Sequence, residues 1–281
     1  MLAAVARTGS LTAAARDLHL TQPAVSHHLA RLEAETGAGL VQRVGRGIRL
    51  TPAGRLLADR TAEIVGRLDA ASAELSAFVG LDAGRVRLAG YTTALSTLLP
   101  AATAILDAVY PGLEVSIVDT HPPEALAMLR AGSVDAALIF RYETSEPEAG
   151  DLRLVHLLDD PTYLLTLEGT TDVAGHRDSP WIGGCERCRA HLVDLCRKAG
   201  FEPAIRYTTD DMVLMQALVG AGLGVTTIPG LALRAHRLDT VTATALPGAT
   251  RHVYAATYGE PPDPPATRAL LDALLGACGR R

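Results

Sequence analysis

The stretch GSLTAAARDLHLTQPAVSHHLARLEAETGAGLVQRVGRGIRLTPAG, from Gly9 to Gly54, decides how this chain is read. It reads as two short helices joined by a tight turn, followed by a strand-turn-strand wing. Ser10 is placed to cap a helix over about 11–18, and Ala13, Ala14 and Ala15 let another helix approach closely. His19 and Leu20 make the turn. Thr21 then stands at an N-cap position, with Pro23 in the first turn of the next helix, where a missing N–H costs nothing. That second helix buries Val25, Leu29 and Leu32 at i, i+4, i+7 spacing. Its other face carries Gln22, Ser26, His27 and Arg31, side chains able to meet base edges and phosphates. Arg43, Arg46 and Arg49 follow on the Gly-punctuated hairpin VGRGIRLT. An ordinary αα-hairpin inside a core is the alternative. The polar face, the arginine wing and the caps agree instead on a helix-turn-helix that places its second helix in the major groove.

In residue type the stretch resembles the winged helix-turn-helix of LysR-type transcriptional regulators. The matching segments are GSLTAAA at 9–15, LTQPAVS at 20–26, LEAETG at 32–37, LVQR at 40–43 and LTPAG at 50–54. Val41 and Leu2 stand where the family has Phe, and only Met1 precedes Leu2, where relatives carry another turn of helix. The resemblance implies DNA contacts from Thr21, Gln22, Pro23, Ser26, His27 and Arg31, with Arg46 and Arg49 gripping the backbone from the wing. It also implies a homodimer or homotetramer on an interrupted palindrome of promoter DNA. A small-molecule effector would alter DNA bending rather than release the protein.

Charge is distributed in keeping with that expectation. The 281 residues carry a net −5, yet residues 1–60 hold eight arginines against four carboxylates, net +4, leaving −9 for the rest. A basic head on an acidic body suits docking one module on phosphate. No secretory signal is recognisable, and a cytoplasmic protein is expected. Two uncharged runs, 88–106 and 212–233, are broken by Pro100, Gly220, Gly222, Gly224 and Pro229, and they read as strand and helix in sequence rather than membrane spans.

Beyond the head, Leu57, Ile64, Leu68, Ala71, Leu75 and Phe78 fall at spacings of 7, 4, 3, 4 and 3, an a/d seam predicting a dimerising linker helix over 52–81. The alternative is an amphipathic helix packed on its own domain. From residue 85 onward strands and helices alternate: strands at 85–91, 113–118 and 136–140 with helices between them, implying a parallel sheet covered on both faces. LRLVHLL at 152–158 and YLLTLE at 163–168 read as separate strands, as do 241–246 and 252–258. A helix at 266–278 is expected to return to the first lobe.

AGFEPAIRYTTDD at 199–211 and VGAGLGVTTIP at 219–229 resemble the same family's effector domain, two Rossmann-like α/β lobes of the type 2 periplasmic-binding-protein kind. The expected fold is therefore α/β with an N-terminal winged helix-turn-helix (1–54), lobe I at 85–161 and 257–281, and lobe II at 162–256. In open α/β sheets ligands bind at strand carboxyl ends and helix N-termini. Thr92, Thr93, Ser96, Phe140, Arg141, Thr162, Gly184, Cys185, Thr226 and Thr227 occupy such places and are the expected effector contacts. Their hydroxyls and Arg141 would suit a small anionic molecule.

Cys185, Cys188, His191 and Cys196 form C-x2-C-x2-H-x4-C, a set able to hold zinc, while the first pair could also form a reducible disulfide. Neighbouring Arg187, Arg189 and Arg197 oppose a cation, so the expectation is no cofactor and no metal. A thiol-redox or metal-responsive regulator is the alternative to a small-molecule one. A solute-binding module or an enzyme is more remote, since no H-x-E, G-x-S-x-G or G-x-x-x-x-G-K-[ST] pattern is present.

Overall fold

The computed structural model describes residues 1–44, 47–61, 64, 68, 84–143, 152–167, 172–259 and 261–279. The chain divides into two compact units, one of residues 1–79 with 127–134 and one of residues 80–126 with 135–281.

In the N-terminal unit, α1 (Leu2–Thr8), α2 (Leu11–Asp17) and α3 (Gln22–Thr36) precede the antiparallel hairpin β1 (Val41–Val44) and β2 (Gly47–Leu50). Ser10 accepts from the Ala13 N–H and Thr21 from the Ala24 N–H, so both caps sit where the sequence puts them. The turn between α2 and α3 closes through His19 N–H to the Arg16 carbonyl and Leu20 N–H to the Ala15 carbonyl, with His19 at φ 53°. This is the Schellman arrangement, with histidine in the left-handed position that glycine usually fills. Ala4, Val5, Ala14, Ala15 and Val25 form one core cluster; Leu2, Leu29, Leu40 and Leu50 form another with Ala58. Leu32 packs only partly buried against the second.

Two motif residues have evident structural duties. Glu33 accepts from the Leu40 and Val41 N–H groups at 2.7 and 3.2 Å, tying α3 to the start of the wing. Thr51 donates to the Gly39 carbonyl and accepts from the Gly54 N–H, starting helix α4, which is described over 52–61 and is helical again at 64 and 68. A Cβ added at Gly54 would lie 2.0 Å from the Leu40 carbonyl oxygen, so the helix crosses that backbone only because residue 54 has no side chain. Leu57 is partly buried in the head, while Ile64 and Leu68 are 68% and 70% exposed. Ala71, Leu75 and Phe78 lie outside the described residues, as does Arg46.

The C-terminal unit is built on a six-stranded sheet of order β4-β3-β5-β10-β6-β9. Its strands are β3 (Arg85–Gly90), β4 (Glu114–Asp119), β5 (Ala136–Tyr142), β6 (Leu152–Thr166), β9 (Thr226–Pro229) and β10 (Thr242–Tyr258). Helices α5 (Thr92–Val109) and α10 (Pro265–Gly279) belong to the first lobe, and α6 (Pro122–Arg130) lies between β4 and β5 in the chain. The second lobe adds β7 (Pro180–Gly183), α7 (Glu186–Lys198), β8 (Ala204–Thr208), α8 (Met212–Gly220) and α9 (Gly230–Ala235). Strand β7 pairs parallel with β8 and bridges Val225 through Trp181. On adjacent β6 residues Leu164 and Leu165 face separate clusters, one around Trp181 and Cys196, the other around Ile182 and Met215, so this lobe is covered on both faces. Helix α5 has the length and composition of a membrane span. It packs Leu95, Leu98, Ala102 and Leu106 into the first lobe's core with α10 residues Leu270 and Leu274, as the return of the last helix requires.

The parallel sheet expected of 85–91, 113–118 and 136–140 is present as β4-β3-β5, to which β10, β6 and β9 add antiparallel rungs; three other points differ from expectation. The segments read as strand pairs are single strands of 15 and 17 residues, β6 and β10. Pro161 and the Gly248 turn signal suggest breaks, but Pro161 sits where the β6–β10 register shifts, so its missing N–H interrupts no regular ladder. The return crossing also comes earlier than residue 257, because Arg251–Ala256 already pair with β5 of the first lobe. Finally α9, six residues after Pro229, is too short to leave a periodic signal.

Gly54→Ala is expected to destabilise the N-terminal unit by about 1–3 kcal/mol through backbone overpacking. A thermal melt of the variant reads this directly, and an unchanged midpoint would mean that the helix moves off Leu40 freely.

Candidate functional site

Among the described residues, the outer side of α3 and a cleft between the lobes of the C-terminal unit gather most of the candidate site residues. On α3, Thr21, Gln22, Pro23, His27 and Arg31 are exposed and Ser26 is half-buried. Gln22 Nε2 donates to Ser26 Oγ at 2.9 Å, and Arg31 pairs with Glu35 one turn on at 2.8 Å. Exposed pairs of this sort are weak enough to exchange for a phosphate. Arg43 and Arg49 are exposed on the two wing strands.

The cleft encloses about 720 Å³. The strands β6 and β10 cross between the lobes at its base, and there Arg251 and Asp160 face each other in the ladder. Both are almost wholly buried, with guanidinium and carboxylate 2.8 Å apart. Arg251 also donates to Thr93 Oγ1 at 3.0 Å and lies over the Phe140 and Tyr91 rings, 4.5 and 5.0 Å from their centroids. The other Asp160 oxygen accepts from the Leu231 N–H at the start of α9. Two buried charges are thus matched by fixed partners, the condition for retaining an ion pair away from water.

Above this base, α5 begins at Thr92 with Tyr91 as an N-cap whose side chain makes no capping bond. The first N–H groups of the helix remain available to a ligand. Tyr91 lines the cleft with its hydroxyl buried and without a hydrogen-bond partner, and burial holds its pKa up. Thr92 donates to Asp119, while Asp211 caps α8 by accepting from Val213 and Leu214 N–H. At the mouth, His121 Nε2 and Asp210 Oδ2 meet at 2.7 Å across the two lobes.

Of the residues the sequence proposed for effector contact, Thr92, Thr93, Ser96, Phe140 and Cys185 line the cleft. Arg141, Thr162, Gly184, Thr226 and Thr227 do not. Alternation along β5 sends Phe140 inward and Arg141 to the opposite face. Thr226 is buried and donates to the Ile182 carbonyl at 2.7 Å, a sheet-closing bond. Thr162 is buried with its hydroxyl unpartnered, and Gly184 packs under Cys188 and Met215. Arg251, Tyr91 and Asp160 are the residues the sequence reading missed. Their signal was a lone arginine in the apolar run RHVYAAT, in phase with buried Val253 and Ala255.

Comparison with known proteins follows the same division. Residues 80–279 match the LysR substrate binding domain family, and residues 1–55 match the family described as bacterial regulatory helix-turn-helix protein, lysR family. The chain belongs to the LysR family of transcriptional regulators. It is 28% identical to the HTH-type transcriptional regulator TfdS of Cupriavidus pinatubonensis, covering 99% of this chain and 97% of that one. A probable hydrogen peroxide-inducible genes activator of Mycobacterium avium is 30% identical over 80% of this chain and 75% of its own. The crystal structure of CbnR, a LysR family transcriptional regulator, shares the fold with a TM-score of 0.68 at 21% identity, covering 99% and 96% of the two chains.

The cysteines of this LysR-type regulator divide into two environments. Cys185 is the N-cap of α7 and Cys188 lies one turn on, with their sulfurs 3.2 Å apart on the cleft wall. Cys196, farther along the helix, is buried with Trp181, Leu192 and Phe201, and burial pushes its thiol up to about 12. The His191 ring stacks on Tyr142 at 3.9 Å, its Nε2 buried and unpartnered, and burial lowers its pKa to about 4. The four-ligand set suggested by C-x2-C-x2-H-x4-C is therefore not gathered around one point. A different group, His156, Asp159 and His252, brings its ligand atoms within 4.8 Å of one another on the outer face of the crossing strands. Hydrogen bonds from His252 and then His156 hold the Asp159 carboxyl below its ordinary pKa.

Arg251→Met is expected to cost about 3–5 kcal/mol by stranding Asp160, and Arg251→Met with Asp160→Leu to recover most of it. Urea unfolding of both variants checks this; equal losses would assign the effect to packing. Between pH 6.5 and about 4 the unfolded chain protonates at His191 while the folded chain resists. Stability therefore falls as pH drops through that window, and His191→Gln should flatten the fall in a pH series of melts.

Proposed function

We propose that this regulator reads promoter DNA through the exposed face of α3 and takes a small-molecule effector in the cleft over Arg251 and Asp160. Gln22, Ser26 and His27 lie nearest the N-terminus of α3, the end that meets base edges in a helix-turn-helix, and Arg31 and Arg49 supply phosphate contacts. Arg46 joins them in this reading by its place between the wing strands. The exposed Ile64 and Leu68 support a homodimer formed along α4, which would set two reading helices on a two-fold DNA site.

The observation that carries the effector reading is the conjunction of uncapped α5 N–H groups and the orphaned Tyr91 hydroxyl in one cleft. Open N–H groups at the start of α5 favour a carboxylate or similar acceptor head. Arg251 is already neutralised by Asp160, and its part is to hold Thr93 and the aromatic rings in place. An apolar remainder of the ligand would lie toward Phe140, Met212 and Val213.

Fluorescence anisotropy on a fragment upstream of the gene tests the DNA face. Gln22→Ala should weaken specific binding, while Arg49→Ala should weaken binding to all sequences and lower the salt slope by about 1. Affinity unchanged in both would remove this face from the reading. Ser96→Phe should leave DNA affinity intact while abolishing thermal stabilisation by any member of a panel of small carboxylates. A hit retained by that variant would move the ligand elsewhere.

A further inference from the structure

Outside the cleft, among the described residues, His156, Asp159 and His252 gather metal-ligating atoms on the outer face of the crossing strands. Strand parity alone would not bring them together. Residues i and i+3 of a regular strand point to opposite faces, yet His156 and Asp159 both belong to β6. The β6–β10 register shifts between them: Tyr254 pairs with His156 and Val253 with Leu158, leaving Leu157 as the extra residue. That bulge turns His156 to the face that already holds Asp159, while Leu157 is buried. His252 stands directly opposite Asp159 on β10, and its neighbours Arg251 and Val253 are buried, so it too points outward.

Both imidazoles converge on one carboxylate oxygen. His156 Nε2 lies 2.8 Å and His252 Nδ1 2.7 Å from Asp159 Oδ1, and the three ligand atoms lie within 4.8 Å of one another. The His156 ring meets the Tyr254 ring edge-on, with centroids 5.4 Å apart, which steadies its plane. All three backbones are held in one ladder, so the donors need little ordering to act together.

We propose that His156, Asp159 and His252 form a binding site for a divalent late transition ion, zinc foremost, that clips β6 to β10 on the outer side of the crossing. Two imidazoles and a carboxylate suit zinc, nickel, cobalt or copper, whereas magnesium and calcium take oxygen shells. Each neutral imidazole offers the lone pair of the named nitrogen and carries its proton on the other, so the ion replaces the two hydrogen bonds without changing the charge of either ring. Bonds of about 2.0–2.1 Å place tetrahedral ligand atoms about 3.3 Å apart. The contacts of 2.8 and 2.7 Å open to that spacing by small rotations of solvent-accessible side chains. Three protein ligands leave a further position for water. Arg141, opposite His252 on β5, is the cation in register with the site and opposes binding, while the Asp159 carboxylate offsets it. On the same stretch of ladder Arg251 and Asp160 tie these strands from the inside. The inference rests on neither an effector in the cleft nor DNA binding.

The test titrates zinc calorimetrically into the untagged full-length chain after chelation and dialysis, with cobalt absorption as a second readout. One equivalent of zinc is expected to bind with a Kd on the order of micromolar or tighter. His156→Gln, His252→Gln and Asp159→Asn should each weaken that equivalent by about tenfold or more. Cys185→Ser should leave it in place, and cobalt bound there should show ligand-field bands without thiolate charge transfer. Arg141→Gln should tighten it. Melts in chelator establish that the variants are folded, and zinc should raise the melting temperature of the unsubstituted chain but not of the His156→Gln/His252→Gln double variant. Zinc affinity and stoichiometry unchanged in that double variant would overturn the proposal. So would an equivalent lost with Cys185→Ser instead, or magnesium competing as well as zinc.

Discussion

The buried pair of Arg251 and Asp160 is the constraint around which the C-terminal unit is arranged. Each charge is taken from water, and each must find its whole complement of partners inside. Asp160 spends one oxygen on the guanidinium and the other on the first turn of α9; Arg251 adds Thr93 at the head of α5 and the faces of two aromatic rings. One ladder position therefore fixes both crossing strands and the starts of two helices. A hydrophobic pair could have filled the volume at less electrostatic cost, but it would not have specified the orientation of all four elements.

On the neighbouring rung the side chains point the other way. His252 and Asp159 pair in register beside Arg251 and Asp160, and the alternation of the pleat sends them to the outer surface. The crossing thus carries charge on both faces, sealed within the cleft and exposed outside. The inner pair holds the geometry that the cleft's helix termini depend on.

Much of the head was legible because each of its signals is local. Ser10 and Thr21 cap the helices that immediately follow them, Pro23 falls in a first turn, and the residues of the reading face lie within three turns of one helix. The cleft was half legible for a related reason. Thr92, Thr93 and Ser96 follow a strand directly, so their position at a helix start is written in the neighbouring residues. Arg141 misled because charge suggested a ligand, whereas strand parity turned Phe140 inward instead. Arg251 was missed because its partner lies 91 residues away, and sequence pattern carries no record of cross-strand pairing at that distance.

The contact of Gly54 with the Leu40 backbone has a mechanical meaning. Thr51 is hydrogen-bonded to Gly39 and to the first turn of α4, Glu33 fastens α3 to the wing, and a helix without a side chain at residue 54 lies directly on the strand entry. No slack joint separates the reading helix from α4. A torque applied along the outgoing helix is delivered to the α3 face with little loss, so the head behaves as a fixed fitting at the end of a lever. A swivel there would let the head turn on its own; this arrangement ties the orientation of α3 to the helix that leaves it.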